Sequence, residues 1–424
     1  MSAPATAPRA HTGSRRSDFQ IGLALSAMGF LLAGLGACVA LLVRDLNESP
    51  DRLAVLPSAF AVGLLVIAAV GPLLLRLGDI TNVLRGGSLV CAIGALLLAL
   101  APSFVIAIVG GLLVGLGGAL LVLIAPLLLD GPTAASRLTR VNAVASATGV
   151  FGPLAIGGVD SLGTTGRIAL LAPIVPLLLL AALARPTENT RPAESTRPAD
   201  PAPAKSPGTT PTVIPSAVPA VIPGGGRSAA LGSAGLVARG WLRVVLAVAV
   251  EFCFVVWAVA RLQAAGLPTA AAALLGSAFP IGMAVGRAIG PLRILGWSPL
   301  VPSGVLAAGG TLLVSLTGAP VLVVAGLALA GVGVAPLYPI TIAALVATPG
   351  LSPARLAALG ALASGTAILV APAVLATLAT VVDLRTAFLI PLPILLILFV
   401  ISRPWGRSHA EERRTPDQLE VGSP

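Results

Sequence analysis

Apolar residues lie along this chain in long runs, not in the alternation of a half-buried strand or the single stripe of a surface helix. The runs cover residues 19 to 43, 53 to 75, 86 to 101, 104 to 129, 141 to 159, 166 to 184, 241 to 264, 268 to 290, 299 to 316, 320 to 347, 356 to 380 and 385 to 402. Most approach the ~20 residues a helix needs to cross a bilayer's hydrocarbon core. Backbone polar groups in lipid must be satisfied within the segment, so each run predicts a membrane-spanning helix. The stretch 86 to 129 is about twice the length of one crossing and is interrupted by "APSF" at 101 to 104, so it predicts two helices. The expected fold class is an all-α membrane protein with twelve transmembrane helices.

Composition agrees with the pattern. The chain has 424 residues, of which 56% are hydrophobic and 10% charged, and its mean hydropathy of +1.00 lies outside the soluble range. The net charge of +10 does not imply nucleic acid as a partner, because the basic residues punctuate the apolar runs and form no single patch. Cys38, Cys91 and Cys253 all fall inside apolar runs, where thiols behave as small hydrophobes. His11 and His409 lie in polar tails, and the only lysine, Lys205, lies in "PAKSPG", so no HExxH metal site or Walker A loop can be written. Neither a cofactor, a metal nor an enzymatic activity is expected.

Charge orients the spans. With the N-terminus inside, the cytoplasmic segments hold 21 of the 26 basic residues, as the positive-inside rule requires. Arg44, Arg52, Arg167, Arg261 and Arg385 remain outside. Both ends are therefore expected in the cytoplasm, with the protein in the cytoplasmic membrane. The predicted organisation is a tail (1 to 18), a six-helix bundle (19 to 184), a linker (185 to 240), a second six-helix bundle (241 to 402) and a tail (403 to 424). The linker is rich in Pro, Ala, Thr, Ser and Gly, with Arg-Pro recurring in "RPTENTRPAESTRPADPAP", and reads as a disordered tether.

The two bundles repeat one another. "VGPLLLRLG" (70 to 78) parallels "IGPLRILG" (289 to 296), and "VGLG" (114 to 117) parallels "AGVG" (330 to 333). "GRIALLAPI" (166 to 174) parallels "LRTAFLIPL" (384 to 392), and Pro153 parallels Pro372. All four matches share nearly one offset, which points to an ancestral duplication and two pseudo-symmetric halves. Repeated halves in a polytopic protein usually move against each other around a site near the bilayer midplane.

Twelve spans, a long central loop and a six-plus-six repeat resemble the major facilitator superfamily. "GPLLLRLGDITNVLRGG" (71 to 87) resembles its signature Gly-x-x-x-Asp-Arg-x-Gly through Gly71, Arg76 and Gly78. Leu75 stands where the signature has its aspartate, and Asp79 lies one turn away. "GVFGPLAIGG" (149 to 158) is similar to the Gly-Pro-rich motif of antiporter-type members through Gly149, Gly152 and Pro153. It has one extra residue between Pro153 and Gly157. "VGGLLVGLGGA" (109 to 119) keeps the glycines of the drug-antiporter motif, with Gly111 in place of its arginine. "EFCFVVW" (251 to 257), "SAFPIGMAVGR" (277 to 287) and "GVGVAPLYP" (331 to 339) resemble a prokaryotic branch near the sugar-permease-like members. The resemblance implies a secondary carrier of a small organic solute, working by alternating access as a monomer in the lipid bilayer.

Within that frame Glu251 is the principal candidate. It falls near the middle of the seventh run, where a lone ionised carboxylate costs several kcal/mol, so it must be neutral, paired or facing a hydrated cavity. No other run carries a charge at that depth. A carboxyl there can exchange a proton as a cavity opens to either side, which is the chemistry of proton coupling; the alternative is a protonated group that only packs. Arg261, about 15 Å further along the axis, reads as an interface anchor, and Trp257 as a lipid-facing packing residue.

Tyr338 is the only tyrosine, and it either reaches the cavity or bonds a carbonyl freed by Pro336 or Pro339. Asn142 either contacts solute or caps the fifth helix. Arg287 and Arg293 read as topology anchors first and gate residues second. Gly149, Gly152, Pro153, Gly331, Gly333 and Pro336 are candidate hinge and close-packing positions. Few polar side chains lie mid-run, which favours export of an amphipathic compound over uptake of a sugar, against the branch resemblance. A non-transporting sensor or scaffold on the same fold is the competing reading.

Overall fold

The computed structural model describes residues 10–49, 52, 54–77, 79–128, 134–184, 226–290, 298–349 and 351–403. Among these, nine helices are long and apolar enough to cross a membrane. A pair, Ser17–Ala33 and Leu35–Asp45, bent by 48°, makes a tenth span, and the shorter apolar helices Val55–Gly71 and Leu300–Leu316 occupy the expected places of the second and ninth. The remaining spans, third to eighth, are Ile80–Leu100, Phe104–Ala125, Val141–Ser161, Gly166–Leu183, Ala234–Ala264 and Thr269–Ile289. The tenth to twelfth are Pro320–Val346, Arg355–Val381 and Leu384–Ser402. The described residues contain no strand.

Several helices outrun their apolar stretch. The helix carrying the fifth span starts at Ala134, and the one carrying the seventh starts at Gly226, inside the expected linker. Hydropathy marks where lipid ends, whereas the backbone ladder continues into water wherever no breaker stops it. The rest of the linker and most of both tails lie outside the described residues. Interruptions fall at breakers: Gly34 in the first span, Pro173 in the sixth, Pro336 in the tenth and Pro391 in the twelfth. Pro153 and Pro372 sit inside continuous helices, where each removes one ladder bond.

The repeat is visible in the packing. Third and fourth spans approach through Gly94 and Gly110 and through Gly117; ninth and tenth approach through Gly310 and Gly326 and through Gly333, each residue 216 positions on. A Cβ placed at Gly117 would lie 2.6 Å from the Gly87 carbonyl oxygen, and one at Gly333 would lie 2.6 Å from that of Ser303. Likewise Gly63 and Gly115 seat the second span on the fourth, while Gly282 and Gly331 seat the eighth on the tenth. In lipid no hydrophobic force drives helices together, so such close backbone approach supplies the cohesion.

Arginines close the helix ends in the same repeated way. Arg167 Nη1 donates to the carbonyl of Ala101 at 2.9 Å, beyond the end of the third span, and Arg385 Nη2 donates to Leu316 O at 2.8 Å, at the end of the ninth. Arg261 is fully buried and donates through Nε to Val314 O at 3.0 Å and through Nη2 to Thr317 O at 2.5 Å. This corrects the expectation that Arg261 is an interface anchor: it satisfies carbonyls that the ninth helix leaves orphaned where it stops. At the same end of the bundle, Arg44 pairs with Asp160 at 2.7 Å and Arg167 with Asp45 at 3.0 Å, tying first, fifth and sixth spans together.

Trp257 is also corrected. It is buried against the eleventh span, and its indole N–H donates to Pro372 O at 3.3 Å, so it does not face lipid. Lipid-facing and protein-facing positions are equally apolar in a bilayer, and an indole suits both.

Candidate functional site

Between the two halves lies a cavity of about 620 Å³. One helical stripe of the fifth span enters it, formed by Asn142, Ser146, Gly149 and Pro153 at steps of three and four residues. From the second half, Glu251, Phe254, Val255 and Ala258 of the seventh span continue the wall, with Phe279, Met283 and Arg287 of the eighth. Tyr338 and Pro336 of the tenth complete that side. Phe60 and Phe279, a repeat offset apart, project from corresponding helices. The Phe254 and Phe279 rings stack with centroids 5.1 Å apart, giving the wall a rigid aromatic face.

The cavity is closed at one end by direct contact of the halves. Gly36 of the first span sits against the Val255 and Val256 carbonyls of the seventh, and Gly157 of the fifth sits against Ala270 and Leu274 of the eighth. At the other end, where the described chain begins and finishes, Asn142 and Ala143 line the cavity and are exposed. At that end Arg137 pairs with Asp18 at 2.6 Å, within the first half.

Among the described residues, five polar side chains reach this apolar space: Asn142, Ser146, Glu251, Arg287 and Tyr338. Arg287 Nη2 stands 3.8 Å from Glu251 Oε1, within ion-pair range but longer than a charge-assisted hydrogen bond. Its Nη1 donates to Ser146 Oγ, so one guanidinium joins a carboxylate of its own half to a hydroxyl of the other. Ser146 Oγ is also bonded to Asn142 O at 2.8 Å. The Tyr338 phenol lies near Ser364 of the eleventh span and near the Glu251–Arg287 pair. Glu251 is largely shielded, with 14% of its side chain exposed, while Arg287 at 31% is open to the cavity.

The structure thus brings Glu251, Tyr338, Asn142 and Arg287 together with Gly149, Pro153 and Pro336. Two expectations change. Glu251 is not alone at its depth, because the Arg287 side chain reaches back from the inner part of the eighth span. Asn142 caps nothing, because its helix began at Ala134. Gly152, Gly331 and Gly333 are packing positions against Phe30, Phe279 and Ser303 and do not line the cavity. Gly71 is buried beside Leu123 and is not among the cavity-lining residues. Asp79 is exposed at the start of the third span and makes no side-chain cap bond.

Gly78, Arg293 and the side chain of Arg76 lie outside the described residues. Ser146 and Ser364 were not singled out from the sequence. The spacing of Ser146 from Asn142, Gly149 and Pro153 on one helical face was the available signal. Among the described residues no group of three or more His, Cys, Asp or Glu side chains could hold a metal ion.

No protein-family model matches the sequence, and no curated protein matches it. Solved structures do match in fold. The chain is similar to the nucleoside transporter NupG at 13% identity and a TM-score of 0.62, covering 93% of this chain and 100% of that one. It is similar to a bacterial homologue of the human lysosomal transporter Spinster, in an inward-facing, unoccupied conformation, at 14% identity and a TM-score of 0.62 over 92% and 96%. The E. coli fucose:proton symporter FucP matches at 16% identity and a TM-score of 0.56 over 90% and 97%.

Proposed function

We propose that this chain, whose fold is that of the major facilitator superfamily, is a secondary carrier that moves a small organic solute across the cytoplasmic membrane by alternating access. In this reading Glu251 is the proton-coupling group. It works as a monomer with both termini in the cytoplasm, and is not an enzyme.

The observation that carries the reading is the placement of the Glu251–Arg287 pair inside a cavity bounded by both halves and, among the described residues, closed at one end by their direct contact. A carboxyl at that position meets water from one side while the cavity is open there, and from the other side once the halves rock. Arg287 exchanges its partner as the carboxyl gains or loses a proton. The hydrogen bond from Arg287 to Ser146 carries that change to the other half, because breaking it frees the fifth span from the eighth.

NupG and FucP are named as transporters of a nucleoside and of fucose with a proton, which supports a small solute and a proton as cargo here. The wall is poorer in polar groups than a polyhydroxylated solute requires, so an amphipathic compound fits better than a sugar.

Reconstitution tests the reading. Glu251→Gln is expected to abolish solute accumulation driven by a pH gradient in proteoliposomes while leaving the protein folded and inserted. Accumulation by the Gln variant equal to that of the parent refutes the assigned role.

A further inference from the structure

We propose that the solute is an amphipathic organic monoanion of the carboxylate class, which binds Arg287 when Glu251 holds a proton. The inference rests on the carrier reading above and identifies its cargo.

Charge bookkeeping within the cavity leads there. Among the described lining residues Arg287 is the one cation and Glu251 the one anion. With Glu251 ionised, the pair is neutral and the site has no net attraction for a charged solute. Protonation of Glu251 leaves the guanidinium uncompensated in an apolar space, and an unpaired buried charge is costly. An entering carboxylate restores neutrality.

Geometry favours the same group. The guanidinium fork matches a carboxylate in two parallel hydrogen bonds. Nη1 is committed to Ser146, while the Nη2 side faces Glu251 across a gap too long for a hydrogen bond, so the entering anion displaces only a loose partner. Tyr338 and Asn142 line the same cavity and carry further donors.

The rest of the wall is apolar, with Leu25, Met28, Phe254, Phe279 and Ile368 placed to receive an alkyl or aryl tail. A solute with one anionic head and a hydrocarbon body satisfies every surface of the cavity.

The proton balance is simple. One proton passes from water to the Glu251 carboxylate and one monoanion settles on Arg287. When both leave on the opposite side, no net charge has moved. Among the described residues the titratable groups facing Glu251 are Arg287 from the eighth span and Tyr338 from the tenth, with Ser364 of the eleventh span near the phenol. Among the described residues, the lining side chains of the first, second, fourth and fifth spans include no titratable group.

Calorimetric titration of the purified full chain tests this without transport, using hexanoate and benzoate against hexanamide and benzamide. The carboxylates are expected to bind and the amides not, with carboxylate affinity rising towards acid pH by up to about tenfold per pH unit, the limit for one linked proton. Glu251→Gln, which imitates the protonated acid, is expected to bind carboxylates with the acid-pH affinity at every pH. Arg287→Met should lose binding, and Arg287→Lys, which keeps the charge but not the fork, should regain part of it.

Equal binding of amides and carboxylates, failure of both carboxylates to bind, or an affinity independent of pH in the parent protein overturns the inference. A protein that accumulates solute under a pH gradient but fails this titration loses the cargo assignment alone. One that passes the titration but accumulates nothing loses the carrier reading.

Discussion

Gly36→Ala adds a single methyl group where the two halves close on each other. A Cβ at Gly36 would collide with the Val255 carbonyl oxygen, and would stand 2.8 Å from the Val256 oxygen and 3.2 Å from its carbonyl carbon. These are backbone atoms of a buried helix, which cannot swing aside as a flexible side chain would. The first and seventh spans must separate instead. Overpacking of this kind costs about 1–3 kcal/mol, and only in the conformation where the helices touch. At about 1.4 kcal/mol per factor of ten, the population should shift about 5- to 150-fold towards the conformation open at the opposite face.

The assay uses a thiol introduced by Leu32→Cys, on the half-buried cavity wall one turn before Gly36, in a background lacking Cys38, Cys91 and Cys253. Labelling by a membrane-impermeant maleimide is measured from each face of oriented vesicles. The methyl group should raise labelling from the face opposite the termini and lower it from the face that carries them. Gly22→Ala on the same span is the control, since nothing lies within 4 Å of its Cβ position. An unchanged labelling ratio for Gly36→Ala would refute the assignment of this contact as the closed gate.

Two further outcomes follow from the helix-end contacts. Arg167 is buried and bonded to Asp45 and Ala101 O, while Asp45 keeps its pair with Arg44, so Arg167→Ala should destabilise by about 1.5–3 kcal/mol. Its repeat counterpart Arg385 makes an exposed bond to Leu316 O, so Arg385→Ala should cost only about 0.5–1.5 kcal/mol. Thermal unfolding in detergent should rank the two variants in that order. Trp257→Phe keeps an aromatic ring but deletes the donor to Pro372 O, and should lower stability by about 1 kcal/mol without altering solute binding, because Trp257 lies outside the cavity wall.

Particular residues mark how far the sequence was legible. Glu251 stood out because an ionisable group in an apolar run is rare, and the carboxyl does line the cavity. Arg287 was read mainly as an anchor because it closes an apolar run, and backbone position says nothing about where a long side chain points. Ser146 escaped notice because a hydroxyl in a membrane helix ordinarily bonds back to its own ladder, as Ser146 also does with Asn142 O. Arg261 and Trp257 were assigned to the interface and to lipid by depth and hydropathy, yet both are buried against neighbouring helices.

What the sequence determined alone was the apolar, all-helical character of the spans, their order and their duplication. Each depends on a local quantity: the length of chain that lipid can hold, and the recurrence of glycine, proline and arginine at one offset. What only the tertiary structure decided was which face of each helix meets lipid, a neighbour or the cavity. A bilayer is as apolar as a protein interior, so burial leaves no polarity pattern to read along a span. The pairing of Glu251 with Arg287, and of Arg287 with Ser146 in the other half, came from that lateral arrangement.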